Sequence, residues 1–291
     1  MDFRAIAMGL LFAFLWSSAF TSARIIVADA PPFAISAIRF TIAGAIGVII
    51  ARAMGQSWHL TPAQWRATLI FGLCQNALYL GLNFLAMTTV EASLASIIAS
   101  AMPLIVALLG WVVLREKLPR LAAFGLVVGF AGVILIMGGR INEGVDMFGV
   151  SLCLIAALAL AVATLMMRGA SSGGNLMMIV GLQMFVGAGV LFIASLIFET
   201  WEFNWNWRMG AAFTYTILGP GLLATFLWFS LVARIGAVKA ATFHFLNPFF
   251  GVAVAAVILG ESLEITDIIG VFIIAAGILA VQLSKHSTTR M

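Results

Sequence analysis

Ten nearly uncharged runs, each of roughly 17–25 residues, divide the chain, and the stretches between them are too short to fold by themselves. They read Ala5–Ala23, Phe33–Ala51, Ala67–Val90, Ala92–Leu114, Leu121–Gly139, Met147–Met167, Asn175–Phe198, Met209–Ala233, Ala240–Gly260 and Ile268–Ser284. That length matches the hydrocarbon core of a bilayer. Lipid offers no partner to backbone N–H and C=O groups, so each run must be a helix. The runs are continuously apolar rather than alternating, which excludes a β-barrel. Composition agrees: 63% of the 291 residues are hydrophobic and 9% are charged, against about 25% charged in soluble domains. Mean hydropathy is +1.15.

The net charge of +4 does not indicate nucleic acid, because the basic residues stand singly at helix ends. Cys74 and Cys153 both fall inside apolar runs, so no disulfide framework, metal site or cofactor is expected. The first run is long enough to span and carries Trp16, Ser17 and Ser18, which reads as a helix of the bundle rather than a targeting tag.

Lys and Arg set the orientation. With the N-terminus in the cytoplasm, the inner segments hold Arg4, Arg52, Arg66, Arg115, Lys117, Arg120, Arg168, Arg234, Lys239, Lys285 and Arg290. The outer loops hold Arg140 and Arg208, with Arg24 near the outer end of the first helix. Acidic residues gather outside: Asp29, Glu91, Glu143, Asp146, Glu199, Glu202, Glu261, Glu264 and Asp267. The expected localisation is a bacterial inner membrane with both termini cytoplasmic. Trp58 and Trp65 inside, and Trp201, Phe203, Trp205 and Trp207 outside, read as aromatic belts.

The two halves of the chain repeat one another at an offset of 145 residues. Pro103 matches Pro248, Leu114 matches Leu259, Glu116 matches Glu261 and Leu118 matches Leu263. Gly125 matches Gly270 and Gly132 matches Gly277. Each half holds five helices, an odd number, so the second enters the membrane from the opposite side. The expected fold is therefore an all-α membrane protein of two inverted five-helix repeats, residues 1–139 and 147–284, around a central cavity. Such inverted repeats serve alternating access.

The paired stretches around Pro103–Glu116 and Pro248–Glu261, with Leu15-Trp16-Ser17-Ser18 and Arg39-Phe40, resemble the EamA domains of the drug/metabolite transporter superfamily. The resemblance covers essentially the whole chain. It departs at Leu160-Ala161, where such proteins often carry Trp-Ala. In size and aromatic content the chain looks similar to bacterial aromatic amino-acid exporters. The resemblance implies a cavity lined by helices 1, 3, 4, 6, 8 and 9, with substrate moving outward.

Polar groups inside spans are costly and face cavities or the bundle interior. Asn76, Tyr79 and Asn83 share a face of the third helix, with Gln75 beside it. They can line a cavity or bond helix to helix. Gln75 matches Pro220 within Gly219-Pro220-Gly221, where proline breaks the eighth helix. On the ninth helix His244 and Asn247 share a face. His244 can hold a substrate carboxylate, titrate, or bond a carbonyl. Trp16 and Phe20, and Tyr215 and Trp228, offer aromatic faces, and Met166-Met167 an adaptable wall. The candidate substrate-binding residues are Trp16, Asn76, Tyr79, Asn83, Trp228, His244 and Asn247. Pro103 and Pro248 are candidate gating kinks. Arg39 reads as a snorkelling, structural charge, with neutralisation of an anion near the outer mouth as the alternative, and Arg24 also reads as snorkelling. The small residues Ala92–Ala101, echoed at Ala237 and Ala240-Ala241, favour close helix approach. Gly125 and Gly129 suggest a repeat or dimer contact.

An intramembrane enzyme would need a nucleophile–base pair, paired carboxylates or metal ligands, and the three histidines are far apart in sequence. The expected activity is export of neutral aromatic or large apolar amino acids, with a proton-coupled drug or metabolite effluxer as the rival. The carboxylates all fall at helix ends or in loops, which favours facilitated diffusion. The expected partners are the amino acid and the lipid bilayer, without nucleic acid, in a monomer or weak homodimer.

Overall fold

A computed structural model describes residues 3–142, 144–166, 173–235 and 240–288. Glu143, Met167, Arg168, Ala237, Lys239 and Arg290 lie outside the described residues. Among the described residues, ten helices are long and apolar enough to cross a bilayer: α1 Phe3–Val27, α2 Pro32–Ala53, α3 Pro62–Ala86, α4 Ala92–Val112, α5 Arg120–Ile141, α6 Met147–Met166, α7 Leu176–Phe198, α8 Trp207–Val232, α9 Thr242–Leu259 and α10 Ile265–Ser284.

Most ends fall within four residues of the apolar runs. The start of α3 does not, and the reason is local. Thr61 Oγ1 accepts from Gln64 N at 3.3 Å and Gln64 Oε1 accepts from Thr61 N at 2.9 Å. This reciprocal capping box, with Pro62 in the first turn, satisfies two orphan donors and begins the helix ahead of Trp65 and Arg66.

Helix α1 packs on α8 and α9, while α6 packs on α3 and α4. Helix α3 meets α7, while α2 meets α8. The pairs α2–α7, α5–α10 and α4–α9 lie side by side. These pairings survive exchanging each helix with the one five places on. The irregular turns exchange too. A π-helical turn occupies Gly72–Leu80 in α3 and another Ile217–Leu223 in α8, and their first residues are 145 apart. Helix α4 is interrupted at Ala101 and restarts as Met102–Val112, with Pro103 in its first turn. Helix α9 runs as a 3₁₀ turn over Thr242–Leu246 and restarts at Asn247, with Pro248 in its first turn.

Glycines let the α5–α10 pair close. A Cβ on Gly277 would stand 2.5 Å from Gly129 Cα, and one on Gly125 2.7 Å from the Gly277 carbonyl oxygen. One on Gly132 would stand 2.9 Å from the Gly270 carbonyl oxygen. Between helices in lipid, such van der Waals contact is a main source of attraction. The Gly125–Gly129 face is thus spent inside the molecule, as a contact between the halves and not between copies. The small face of α4 is likewise buried: Gly251 of α9 sits against Ser96, and Ala92 through Ser100 are all buried.

The loops α1–α2, α3–α4, α5–α6, α7–α8 and α9–α10 share one end of the bundle, and carboxylates tie them to helix N-termini there. Neither Pro31 nor Glu91, the N-caps of α2 and α4, caps its own helix with its side chain. Glu199 therefore serves α2, accepting from Phe33 N at 2.7 Å and Ala34 N at 2.9 Å. Glu261 serves α4, accepting from Ala92 N at 2.8 Å and Ser93 N at 2.9 Å. Each carboxylate meets exposed N–H donors at the positive end of a helix dipole. Asp29 joins the same end, its backbone oxygen accepting from Asn204 N at 2.9 Å and its carboxylate from Asn206 Nδ2 at 2.8 Å.

Two charges read from the sequence as peripheral are not. Arg140, expected in an outer loop, is 7% exposed in the last turn of α5. It pairs with Asp267, itself 1% exposed, through Nη2 at 2.7 Å, and with Glu91 through Nη1 at 2.9 Å. Arg24 does not simply snorkel: its Nη1 donates to the Met87 carbonyl just past the end of α3, where a cation suits the helix dipole.

Candidate functional site

A cavity of about 680 Å³ opens among α1, α2, α3, α7 and α8. Trp16, Ala19, Phe20 and Ala23 come from α1, and Arg39 and Phe40 from α2. Gln75, Asn76, Tyr79, Leu80, Asn83 and Phe84 come from α3, with Met87 just after it. Met184 of α7 and Pro220, Gly221 and Thr225 of α8 complete the wall. A smaller cavity of about 280 Å³ adjoins it, lined by Trp16, Tyr79, Ala99, Ser100, Met102, Pro103, Leu160, His244 and Asn247. Trp16 and Tyr79 face both spaces, so their side chains form the partition.

The π turn of α3 presents Gln75, Asn76 and Tyr79 to the larger cavity, and Asn83 follows one turn later. Asn76 Nδ2 donates to the Gln183 carbonyl of α7 at 2.9 Å, so this residue both lines the cavity and joins two helices. Asn83 Nδ2 donates to the Tyr79 carbonyl at 2.7 Å, while its buried Oδ1 has no partner among the described residues. Behind the lining, Ser18 Oγ and Tyr215 Oη lie 2.6 Å apart, and Thr216 Oγ1 donates to Ser22 Oγ at 2.8 Å. These bonds join α1 to α8.

His244, which lines the smaller cavity, is surrounded by aromatic rings. The imidazole centroid lies 5.3 Å from the Phe12 ring, 6.4 Å from that of Trp16 and 5.2 Å from that of Trp228. Asn247 Nδ2 lies 3.0 Å from Nδ1. The sequence candidates thus divide. Trp16, Asn76, Tyr79 and Asn83 reach the larger cavity. His244 and Asn247 reach the smaller one, and Trp228 stands behind His244, tilted against Phe12 at 5.0 Å. Pro103 lines the smaller cavity and Pro248 is buried.

Two corrections follow. The larger cavity draws on α2 and α7, outside the helices 1, 3, 4, 6, 8 and 9 that the resemblance implied. Helices α4, α6 and α9 instead supply the smaller one. Arg39, read as snorkelling outward, is 6% exposed and faces the cavity. Its guanidinium carbon lies 4.3 Å from the Phe40 ring centroid and 4.6 Å from that of Phe84. The signal for it was present: an ionisable group within a span is too costly to be incidental.

Ten apolar helices among the described residues, matched between two halves around cavities lined by polar and aromatic side chains, are the architecture of a membrane transporter. The sequence profile of the EamA-like transporter family matches residues 3–138 and again residues 147–283, and the chain belongs to that family. It is 26% identical to the uncharacterized transporter YvbV of Bacillus subtilis over 277 residues, 94% of this chain and 90% of that protein. It is 24% identical to a chloroplastic WAT1-related protein of Arabidopsis thaliana, over 92% of this chain and 67% of that one. It is 23% identical to protein PecM of Dickeya dadantii, over 77% and 76% of the two chains. A protein solved by crystallography superposes with a TM-score of 0.68 at 20% identity, covering 99% of each chain, which places the two in one fold.

Proposed function

We propose that this transporter exports neutral amino acids with aromatic or large apolar side chains, by alternating access and without ion coupling. The observation that carries the reading is the larger cavity's wall. Flat apolar faces from Trp16, Phe20, Phe40 and Phe84 line it together with polar groups from Gln75, Asn76, Tyr79 and Asn83. Such a pairing suits a substrate with a compact polar head and a bulky apolar body. The two five-helix halves, 1–139 and 147–284, act as the repeating units. Breaks at Pro103 and Pro248 divide α4 and α9 at matched points where half-helices can swing.

Facilitated diffusion rests on where the carboxylates stand. Glu91, Glu199, Glu261 and Asp267 hold helix ends or an arginine at the acidic end of the bundle. A proton-coupled carrier commonly uses a carboxylate within its spans. The Lys/Arg distribution supports a bacterial inner membrane with cytoplasmic termini. A C-terminal reporter active only in the periplasm would overturn that orientation.

Proteoliposomes carrying the full chain test the rest. Counterflow of radiolabelled phenylalanine should proceed with no ion gradient, and an imposed pH gradient should leave its steady level at equilibration. Exchange of ethidium or quaternary amines instead would favour a drug effluxer. Accumulation driven by the pH gradient and abolished by a protonophore would favour proton coupling, with His244 and Glu91 as the groups to examine.

A further inference from the structure

Among the described residues, Arg39 is a guanidinium without a counter-ion. It is 6% exposed, and its Nε and Nη2 are buried with no hydrogen-bond acceptor among the described residues. No carboxylate described lies within ion-pair distance of it. Its neighbours are the rings of Phe40 and Phe84, which attract a cation but accept no conventional hydrogen bond. A buried charge in this condition is costly unless something pairs with it.

The same molecule holds the completed form of this arrangement. Arg140 presents Nε and Nη2, the two donors on one edge of the guanidinium plane, to the Asp267 oxygens at 3.3 and 2.7 Å. That edge matches the two oxygens of a carboxylate. In Arg39 the corresponding edge meets no acceptor among the described residues, and the residue lines the larger cavity, as does Asn83, whose Oδ1 also has no partner among the described residues.

We infer that Arg39 is the group that recognises the anionic end of the transported molecule, which therefore carries a carboxylate or another planar or tetrahedral oxyanion. Rotation of the guanidinium from between the two rings toward the cavity brings its empty edge to the anion. The rings then remain as faces for the apolar body. Asn83 Oδ1 is an acceptor free for a donor on the substrate, which in an amino acid is the ammonium group. This inference deepens the reading of the cavity as an amino-acid site and rests on it for the ammonium contact. The anion contact stands on Arg39 alone.

The test uses full-length protein in proteoliposomes, with phenylalanine counterflow read against two competitors of one shape, 3-phenylpropionate and its uncharged amide. The acid should compete with the wild type and the amide should not. Arg39→Gln should raise KM at least tenfold, of the order expected for a charge-assisted pair, while changing the maximal rate much less, and the acid should lose its advantage over the amide. Arg39→Lys should fall between, keeping the charge without the planar edge. Equal competition by acid and amide in the wild type, or an unchanged KM in Arg39→Gln, overturns the proposal. If Arg39→Gln does not fold, the acid-to-amide ratio in Arg39→Lys decides: a reduced ratio supports it and an unchanged one refutes it.

If the wild type exchanges no amino acid, the reading of the cavity as an amino-acid site fails by itself. Arg39 is then judged by thermal unfolding of purified protein with 3-phenylpropionate, butyl phosphate and the amide. Stabilisation of the wild type by an anion alone, lost in the Arg39 variants, supports the anion site. No anion-specific stabilisation refutes it.

Discussion

Arg140 grips Asp267 across the α5–α10 contact with two parallel hydrogen bonds, Nε to Oδ1 at 3.3 Å and Nη2 to Oδ2 at 2.7 Å. Both residues are buried, and without the Asp267 charge Arg140 keeps Glu91 as its counter-ion. Asp267→Asn should therefore cost less than the about 3–5 kcal/mol of a fully stranded buried charge, and should lower the thermal unfolding midpoint in detergent. Replacing both residues with apolar ones should recover much of that loss. A midpoint unmoved by Asp267→Asn would show that the pair is dispensable.

Glu91 gives the acidic end a pH dependence. Burial holds its carboxyl above the usual carboxylate value of 4.5, with Arg140 opposing that shift. The folded state therefore binds the proton more tightly than the unfolded chain does. The stabilising contribution is fully present below about 4.5 and is lost as pH rises through the higher folded value. Compared with Glu91→Gln, the wild type should lose stability on going from acid toward neutral pH. Parallel unfolding midpoints for the two proteins across that range would contradict this.

Gly277 has no room for a methyl group, because its neighbours are the backbone atoms of Gly129 and Gly125 at 2.5–2.6 Å from a Cβ placed there. Gly277→Ala should destabilise by about 1–3 kcal/mol, the usual cost of overpacking. Gly138, where a Cβ meets nothing within 4 Å, is the control, and Gly138→Ala should be neutral or slightly stabilising. Equal unfolding midpoints for the two variants would mean that α5 and α10 part easily.

Pro103 and Pro248 withhold an N–H from the helix at matched points. Pro103→Ala restores a donor that the Ala99 carbonyl can accept, and Pro248→Ala does the same for His244. Each change should straighten its helix and bias the carrier toward one face. Labelling of single cysteines from each side of the membrane reads this directly. Accessibility identical to wild type in both variants would remove the prolines from the gating account.

Much of the architecture was legible along the chain because lipid leaves so few choices. A run of about 20 apolar residues can only be a helix. Matching Pro103 with Pro248 and Glu116 with Glu261 was enough to expect two related halves. The break at Gly219-Pro220-Gly221 marked the π turn of α8, although its partner at Gly72–Leu80 has no proline and left no mark. The capping box Thr61–Gln64 was written in the sequence, but the charge on Arg66 obscured it, since a solvated first turn looks like a loop to hydropathy.

The sequence by itself determined the helices, their number and the polar faces of α3 and α9, since these follow from periodicity and solvent alone. It could not decide which charge is paired with which. Arg39 and Arg140 are chemically identical, one well inside α2 and the other in the last turn of α5, yet Arg140 meets Asp267 and Arg39 meets two phenylalanine rings. That difference depends on residues distant in sequence: 127 positions separate Arg140 from Asp267. Only the packing of α2 on α3, and of α5 on α10, brought each guanidinium to its neighbours. A group's solvation and its counter-ion are properties of the assembled interior, so the role of Arg39 became visible only there.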